Sequence, residues 1–289
     1  MKVDYWCNAF TPDRRALWDA VIAEQGLSIQ VRRNEDDAFA EPAAMRARMD
    51  ELGFATLILP CADVSRDAGP FAYERYATRF DELAKLHAEH PGRFAGAWSI
   101  DPGGGVAALR RAARALDEPW CVALHLHTHS FDRPFDHPDL HAFYALAAER
   151  GVPFVMQAGA SGGRLPSECG RPLGVERPAL AFPDLPFVLS HTGWPWVDEA
   201  LAMAAKHPNV FVGTASYPPH RWSAELSRFV AGAGRGKVLF GTSFPVVGHR
   251  HALARLPALG LDAAARAALL EGVARRLFTR LRPLSEERP

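Results

Sequence analysis

The feature that most constrains this chain is a rhythm. Short apolar runs alternate with longer Ala-, Leu- and Arg-rich segments of helical apolar spacing along nearly its whole length. The short runs predict strands at 2–8 (KVDYWCN), 54–60 (FATLILP), 93–100 (RFAGAWSI), 120–126 (WCVALHL), 152–158 (VPFVMQA), 186–191 (PFVLSH), 209–214 (NVFVGT) and 237–242 (KVLFGT). Between them ALWDAVIAEQG, AAMRARMDELG, RYATRFDELAKLHAEHP, GGVAALRRAARALDEP, DLHAFYALAAERG, WVDEALAMAAKHP and WSAELSRFVAGAG predict helices. Most of these stop at a glycine or proline just before the next strand.

Repeated strand and helix units require parallel strands joined by crossovers, in a doubly wound sheet or a closed barrel. Eight strands favour the α/β barrel. A doubly wound sheet would more often carry a glycine-rich phosphate loop after its first strand, where this chain has NAFTP. The glycine run DPGGG at 101–105 lacks the fingerprint spacing and reads as the start of a helix.

With 289 residues and 48% hydrophobic composition, the chain is long enough for one barrel domain over 1–289. LSIQVRRNEDDAFAE at 27–41 reads as an insertion that covers the barrel mouth, forms a surface loop or meets another subunit. DAAARAALLEGVARRLFTRL reads as a closing amphipathic helix, and 282–289 as a frayed tail.

Thirty-three basic residues balance thirty-three acidic ones, so nothing favours a nucleic-acid backbone or an anionic membrane. A small molecule is the expected partner, and apolar surface on the barrel helices allows a homodimer. The four cysteines include no CxxC pair and read as buried thiols in a reducing compartment. No apolar run reaches spanning length and the N-terminus lacks an export pattern, so the expectation is a cytoplasmic protein.

Two phrases carry a resemblance: FVLSHTGWPWVDEALAMAAKHPNVFVGTASYPP from Phe187, and KVLFGTSFPVVGHRHAL from Lys237. They resemble the metal-dependent amidohydrolase superfamily, in particular the branch of nonoxidative decarboxylases of the aminocarboxymuconate-semialdehyde and resorcylate type, with related lactonases. The resemblance implies a distorted (β/α)8 TIM barrel with its site at the C-terminal ends of the strands. The first-strand pattern of an aspartate and two alternating histidines falls on Asp4, Trp6 and Asn8. The strand-four lysine falls on Ala123, the strand-five histidine on Gln157 and the strand-eight aspartate on Ser243. Both first-strand histidines are gone, and the one histidine of the pattern that is kept is that of strand six, as His191.

A hydrolytic zinc or manganese centre needs several imidazoles or carboxylates converging on one ion. Indole cannot ligate and amides are poor substitutes, so no metal or other cofactor is expected. A relocated site would use HLHTH, where His125, His127 and His129 alternate along an extended face, joined by His191.

Trp6, Asn8, His125, Gln157, His191 and Ser243 should point inward together at the strand ends, with His127 beside them. Trp194, Tyr217, His220 and Trp222 come from neighbouring loops. That is a polar floor with aromatic walls, suited to a flat organic acid or a lactone. His191 serves as general base on water or general acid toward a ring carbon. Ser243 is either a nucleophile activated by His191 or a hydrogen-bonding group. Asn8 and Gln157 either stabilise an oxyanion or fill the space a metal vacated. Arg164 and Arg171 either clamp a carboxylate or are solvated. Asp4, if near the barrel floor, needs a buried partner, and Cys7 has the opposite parity and should face the helices.

The leading expectation is a metal-independent hydrolase of a small cyclic ester or related carboxylated substrate. The alternative is a nonoxidative decarboxylase of an aromatic or unsaturated acid, with His191 protonating carbon and His125 and His127 supplying positive charge. A noncatalytic binding or assembly protein stands as a third reading, favoured if Trp6 and Phe244 plug the floor.

Overall fold

The computed structural model describes residues 1–25, 39–62 and 77–281. Most of the 27–41 insertion and the whole 282–289 tail lie outside the described residues. The strands are β1 (Lys2–Asp4), β2 (Phe54–Ala62), β3 (Thr78–Arg79), β4 (Phe94–Ser99), β5 (Cys121–Leu126), β6 (Phe154–Gln157), β7 (Phe187–Ser190), β8 (Val210–Gly213) and β9 (Val238–Leu239). The α-helices are α1 (Arg14–Gln25), α2 (Pro42–Leu52), α3 (Phe80–Glu89), α4 (Gly105–Ala115), α5 (Thr128–Phe131), α6 (His141–Glu149), α7 (Glu176–Ala181), α8 (Val197–Lys206), α9 (Ala224–Ala231), α10 (His249–Arg255), α11 (Ala263–Ala267) and α12 (Val273–Leu277).

All strand pairs are parallel, in the order β1-β2-β4-β5-β6-β7-β8-β9, with β3 paired to β2. The two edges meet through backbone. Tyr5 N donates to Phe240 O (3.2 Å), Ser243 N to Trp6 O (2.8 Å) and Asn8 N to Phe244 O (2.8 Å). This curled, all-parallel sheet is a distorted TIM barrel, as the alternating sequence predicts.

The pleat sorts the side chains. Val3, Tyr5, Ile58, Ala97, Ala123, Val155, Val188, Phe211 and Leu239 form one buried cluster inside the sheet, continued by Val273, Leu277 and Phe278 of the closing segment. Leu57, Leu59, Leu124, Phe154, Phe187 and Val210 belong to the larger cluster between sheet and helices. Small Ala97 and Ala123 leave interior volume for the two bulky first-strand residues, Tyr5 and Trp6.

Several predicted boundaries are corrected. The first strand is regular only to Asp4, because the Asp4 carboxylate accepts from Trp6 N at 3.0 Å and bends the chain there. The last is regular only over Val238–Leu239. An unforeseen short strand, β3, precedes α3, whose start is set by a capping box in which Arg79 N donates to the Glu82 carboxylate at 3.0 Å. The closing segment is helical from Ala263 to Leu277, as expected, and carries a π-helical stretch, Ala268–Gly272, between α11 and α12. DPGGG is indeed a helix start, with Asp101 accepting from Gly103 N ahead of α4. No described helix is long and apolar enough to cross a membrane.

Candidate functional site

The C-terminal ends of β1 and β9 are held by Asp4. Its carboxylate is fully buried and accepts from Trp6 N (3.0 Å), Thr242 N (3.1 Å), Thr242 Oγ1 (2.5 Å) and His249 Nε2 (3.0 Å). These bonds supply the buried partner this carboxylate needs. His249 opens α10 and stacks on Phe244 with centroids 4.7 Å apart and planes 4° apart. Phe244 therefore packs in the cluster between sheet and helices and does not plug the barrel floor.

The bend at Asp4 breaks the expected alternation. Tyr5 and Trp6, adjacent in sequence, both enter the barrel interior, while Cys7 faces the helices as its parity predicts. Burial pushes the Cys7 thiol well above its ordinary range. The Trp6 indole lies 4.4 Å from the His125 ring. The Asn8 amide is already used, donating from Nδ2 to Ser243 O at 3.0 Å. Both residues thus occupy, through their own packing, the places where the resemblance would put two metal-binding imidazoles.

Four histidines gather at the ends of β5 and β7. His125 and His127 rings are 6.5 Å apart, and His127 and His129 rings 6.2 Å apart. They do not share one extended face. β5 ends at Leu126 and the chain turns into α5, so proximity survives through a bend and not through strand alternation. His125, His127 and His129 are buried, whereas His191 keeps partial exposure. Desolvation lowers the proton affinity of all four: His125 and His127 well below the ordinary imidazole value, His129 below it, and His191 to about 3. His191 adds to the effect at His125, as do His129, His125 and His191 at His127, and His129 at His191. His125 and His127 are therefore neutral near pH 7, which corrects their expected cationic role.

Three of the four share one device. His125 Nδ1 lies 3.0 Å from Ser99 Oγ, His127 Nδ1 2.5 Å from Ser130 Oγ, and His191 Nδ1 2.8 Å from Ser190 Oγ. His129 is held the other way round, with Nε2 donating to Gly159 O at 2.9 Å. Its Nδ1 and the Gln157 Oε1 are both buried without a good hydrogen bond, and Gln157 favours the charged form of the ring. Gly170 makes this seat possible, since a Cβ there would stand 2.7 Å from His129 Nε2 and 2.5 Å from Gly159 O. Among the described residues no three His, Cys, Asp or Glu side chains are arranged to hold a metal ion. With Trp6 and Asn8 packed as above, these side chains do not fit the family's metal, relocated to the histidines or not.

His191 sits in a strained turn. His191 (φ 64°), Thr192 (φ 58°) and Gly193 (φ 78°) are all left-handed, at a cost of about 1–3 kcal/mol for each non-glycine residue. The turn folds the His191 ring back onto the hydroxyl of the residue before it. Ser243, also left-handed (φ 54°), makes no hydrogen bond with His191; its backbone joins Trp6 and Asn8 instead. The expected His191-activated Ser243 nucleophile is corrected accordingly, and the hydroxyl on His191 belongs to Ser190.

The mouth is partly as expected. Trp194, 53% exposed, faces Tyr217 at 6.5 Å, and Trp222 Nε1 donates to Tyr217 O at 2.8 Å. His220 is exposed and packs edge-on against His251 at 5.3 Å. Arg171 is engaged by Glu199 and Glu168 and lies over Trp196, so it does not serve as a carboxylate clamp; Arg164 is exposed. Tyr5, Ser99, Ser130 and Ser190 were missed as site residues. Only Ser190 left a signal, standing next to His191, whereas Tyr5 was hidden by the assumption of strict alternation.

A parallel barrel with its polar cluster at the C-terminal strand ends defines the class of protein. The family described as Amidohydrolase matches residues 3–280, and the chain belongs to that family. Comparison with curated protein sequences gives no match. Among solved structures, an uncharacterized TIM-barrel protein from Bordetella bronchiseptica is 19% identical with a TM-score of 0.73, covering 97% of this chain and 99% of that one. The 5-carboxyvanillate decarboxylase of Sphingomonas paucimobilis is 18% identical (TM-score 0.66; 96% and 98% covered). The 2,6-dihydroxybenzoate decarboxylase from Rhizobium is also 18% identical (TM-score 0.67; 96% and 98% covered). The expectation that favoured a hydrolase is corrected by the two decarboxylases among them, whose named activity breaks a carbon–carbon bond.

Proposed function

We propose that this chain is a nonoxidative decarboxylase of a small aromatic or unsaturated acid, belonging to the decarboxylase-like branch of its family. The observation that carries the reading is the cluster of four neutral imidazoles at the barrel mouth, where the carboxylate acting on His129 is the exposed Asp132. Among the described residues the cluster has no buried counter-anion, and an organic acid would provide one. An anion beside a neutral imidazole raises its proton affinity, so the acid and a proton enter together. Trp6 forms the aromatic wall against which a flat ring packs.

His191 is the member of the four with exposed surface, and so it meets the substrate. Once protonated, its imidazolium donates through Nε2 while Nδ1–H turns to Ser190 Oγ. The bond from ring or vinylic carbon to the carboxyl carbon breaks, its electron pair stays on the ring or vinylic carbon, and carbon dioxide leaves. The Nε2 proton then forms the new C–H bond and His191 returns to neutral. Desolvation of the carboxylate between Trp6 and the buried imidazoles favours the neutral product.

The test is carbon dioxide release from a panel of hydroxylated benzoates and unsaturated dicarboxylates, run in deuterium oxide. Deuterium at the vacated carbon, lost in His191→Gln, supports the reading. No carbon dioxide from any acid that raises the thermal stability of the protein would sink it.

A further inference from the structure

Tyr5 is fully buried inside the barrel, and its hydroxyl lies 2.8 Å from Ser190 Oγ, which in turn lies 2.8 Å from His191 Nδ1. The interior has been cleared for this ring. A Cβ on Gly213 would stand 2.1 Å from the Tyr5 hydroxyl, and one on Gly241 would stand 2.4 Å from its Cε1. Those two glycines come from the end of β8 and from just past β9, the strands that follow β7 in the sheet, so three neighbouring strand ends co-operate to seat one phenol.

Direction follows from counting donors and acceptors. Among the described residues the buried Tyr5 hydroxyl has one hydrogen-bond partner, Ser190 Oγ, so its proton either goes there or stays buried without an acceptor. It donates to Ser190 Oγ, which leaves the serine proton directed at His191 Nδ1. A neutral imidazole whose Nδ1 accepts must carry its proton on Nε2. We infer that Tyr5 and Ser190 are positioning residues that lock His191 as the Nε2–H tautomer, so that a hydrogen-bond donor faces the substrate before any proton is taken up. Burial works in the same sense, because it disfavours a tyrosinate and keeps Tyr5 a donor.

This inference rests on the reading of His191 as the substrate-facing residue, yet its test needs no turnover. The full chain is labelled with 15N-histidine, and the His191 ring nitrogens are assigned near neutral pH by their loss in His191→Gln. The expected spectrum has a protonated Nε2 and a bare, hydrogen-bonded Nδ1. Ser190→Ala should average both nitrogens toward a tautomer mixture, Tyr5→Phe should do so in part, and Ser190→Thr should restore the wild-type pattern. A wild-type ring protonated on Nδ1, or an Nε2–H ring indifferent to both Ser190→Ala and Tyr5→Phe, overturns the inference. Should Ser190→Ala fail to fold, Tyr5→Phe decides alone: a moved tautomer supports the chain and an unmoved one overturns it. Loss of decarboxylation with the tautomer as expected would count against the function and leave this pair standing.

Discussion

Asp4 Oδ2 and His249 Nε2 lie 3.0 Å apart with neither side chain reaching solvent, and the pair ties the first strand to the helix that follows the last. Thr242 completes the clasp from the β9 end through both its amide and its hydroxyl. The barrel closes at this point, so the clasp is a closure device.

Removing the Asp4 carboxylate leaves several buried donors without a partner. Asp4→Ala is expected to cost roughly 3–5 kcal/mol of stability, with Asp4→Asn intermediate. Urea denaturation followed by tryptophan fluorescence measures it. A loss below about 1 kcal/mol would mean that closure does not depend on this carboxylate.

Gly213→Ala would push a methyl group into the Tyr5 phenol, with the nearest approach at 2.1 Å. The expected destabilisation is about 1–3 kcal/mol or more, as for other overpacked cores. Combining it with Tyr5→Ala should relieve the clash, and a double-mutant cycle that shows plain additivity would remove Tyr5 as the cause.

The His191 imidazole is pushed down to about 3 from an ordinary 6.5, chiefly by desolvation. Between those values the unfolded chain binds a proton that the folded chain does not, so stability rises with pH there. Thermal midpoints should therefore fall as pH drops from 6.5 toward 3, and His191→Gln should flatten the fall. An unchanged slope in that variant would mean that His191 titrates normally.

Binding of an aromatic carboxylate should be linked to proton uptake by the same cluster. Calorimetry in buffers of different ionisation enthalpy is expected to show protons taken up on binding, with affinity weakening as pH rises. Binding that leaves the proton count unchanged would detach the acid from the histidines.

Zinc or manganese reloading, followed by elemental analysis, should leave well below one equivalent of metal bound, since no three suitable ligands converge among the described residues. One tightly held equivalent lost in His125→Ala would reveal a site formed only on binding.

The barrel itself was legible in the chain. Periodicity is a local property, and alternating apolar runs with helical segments leave few architectures that bury both. The substitutions of Trp6, Asn8, Gln157 and Ser243 for family ligands were equally legible, because each is a matter of residue type at a matched position. The sequence alone thereby determined the parallel barrel and the end of it that carries the polar groups.

Tertiary structure decided which group touches which. Val3 and Tyr5 share the interior face by alternation, and the bend that Asp4 makes with the Trp6 amide brings Trp6 in beside them. It paired His191 with Ser190 and not with Ser243, through a left-handed turn at His191 and Thr192. It also made the four histidines neutral, because desolvation depends on the packed surroundings and not on the residue or its neighbours in sequence.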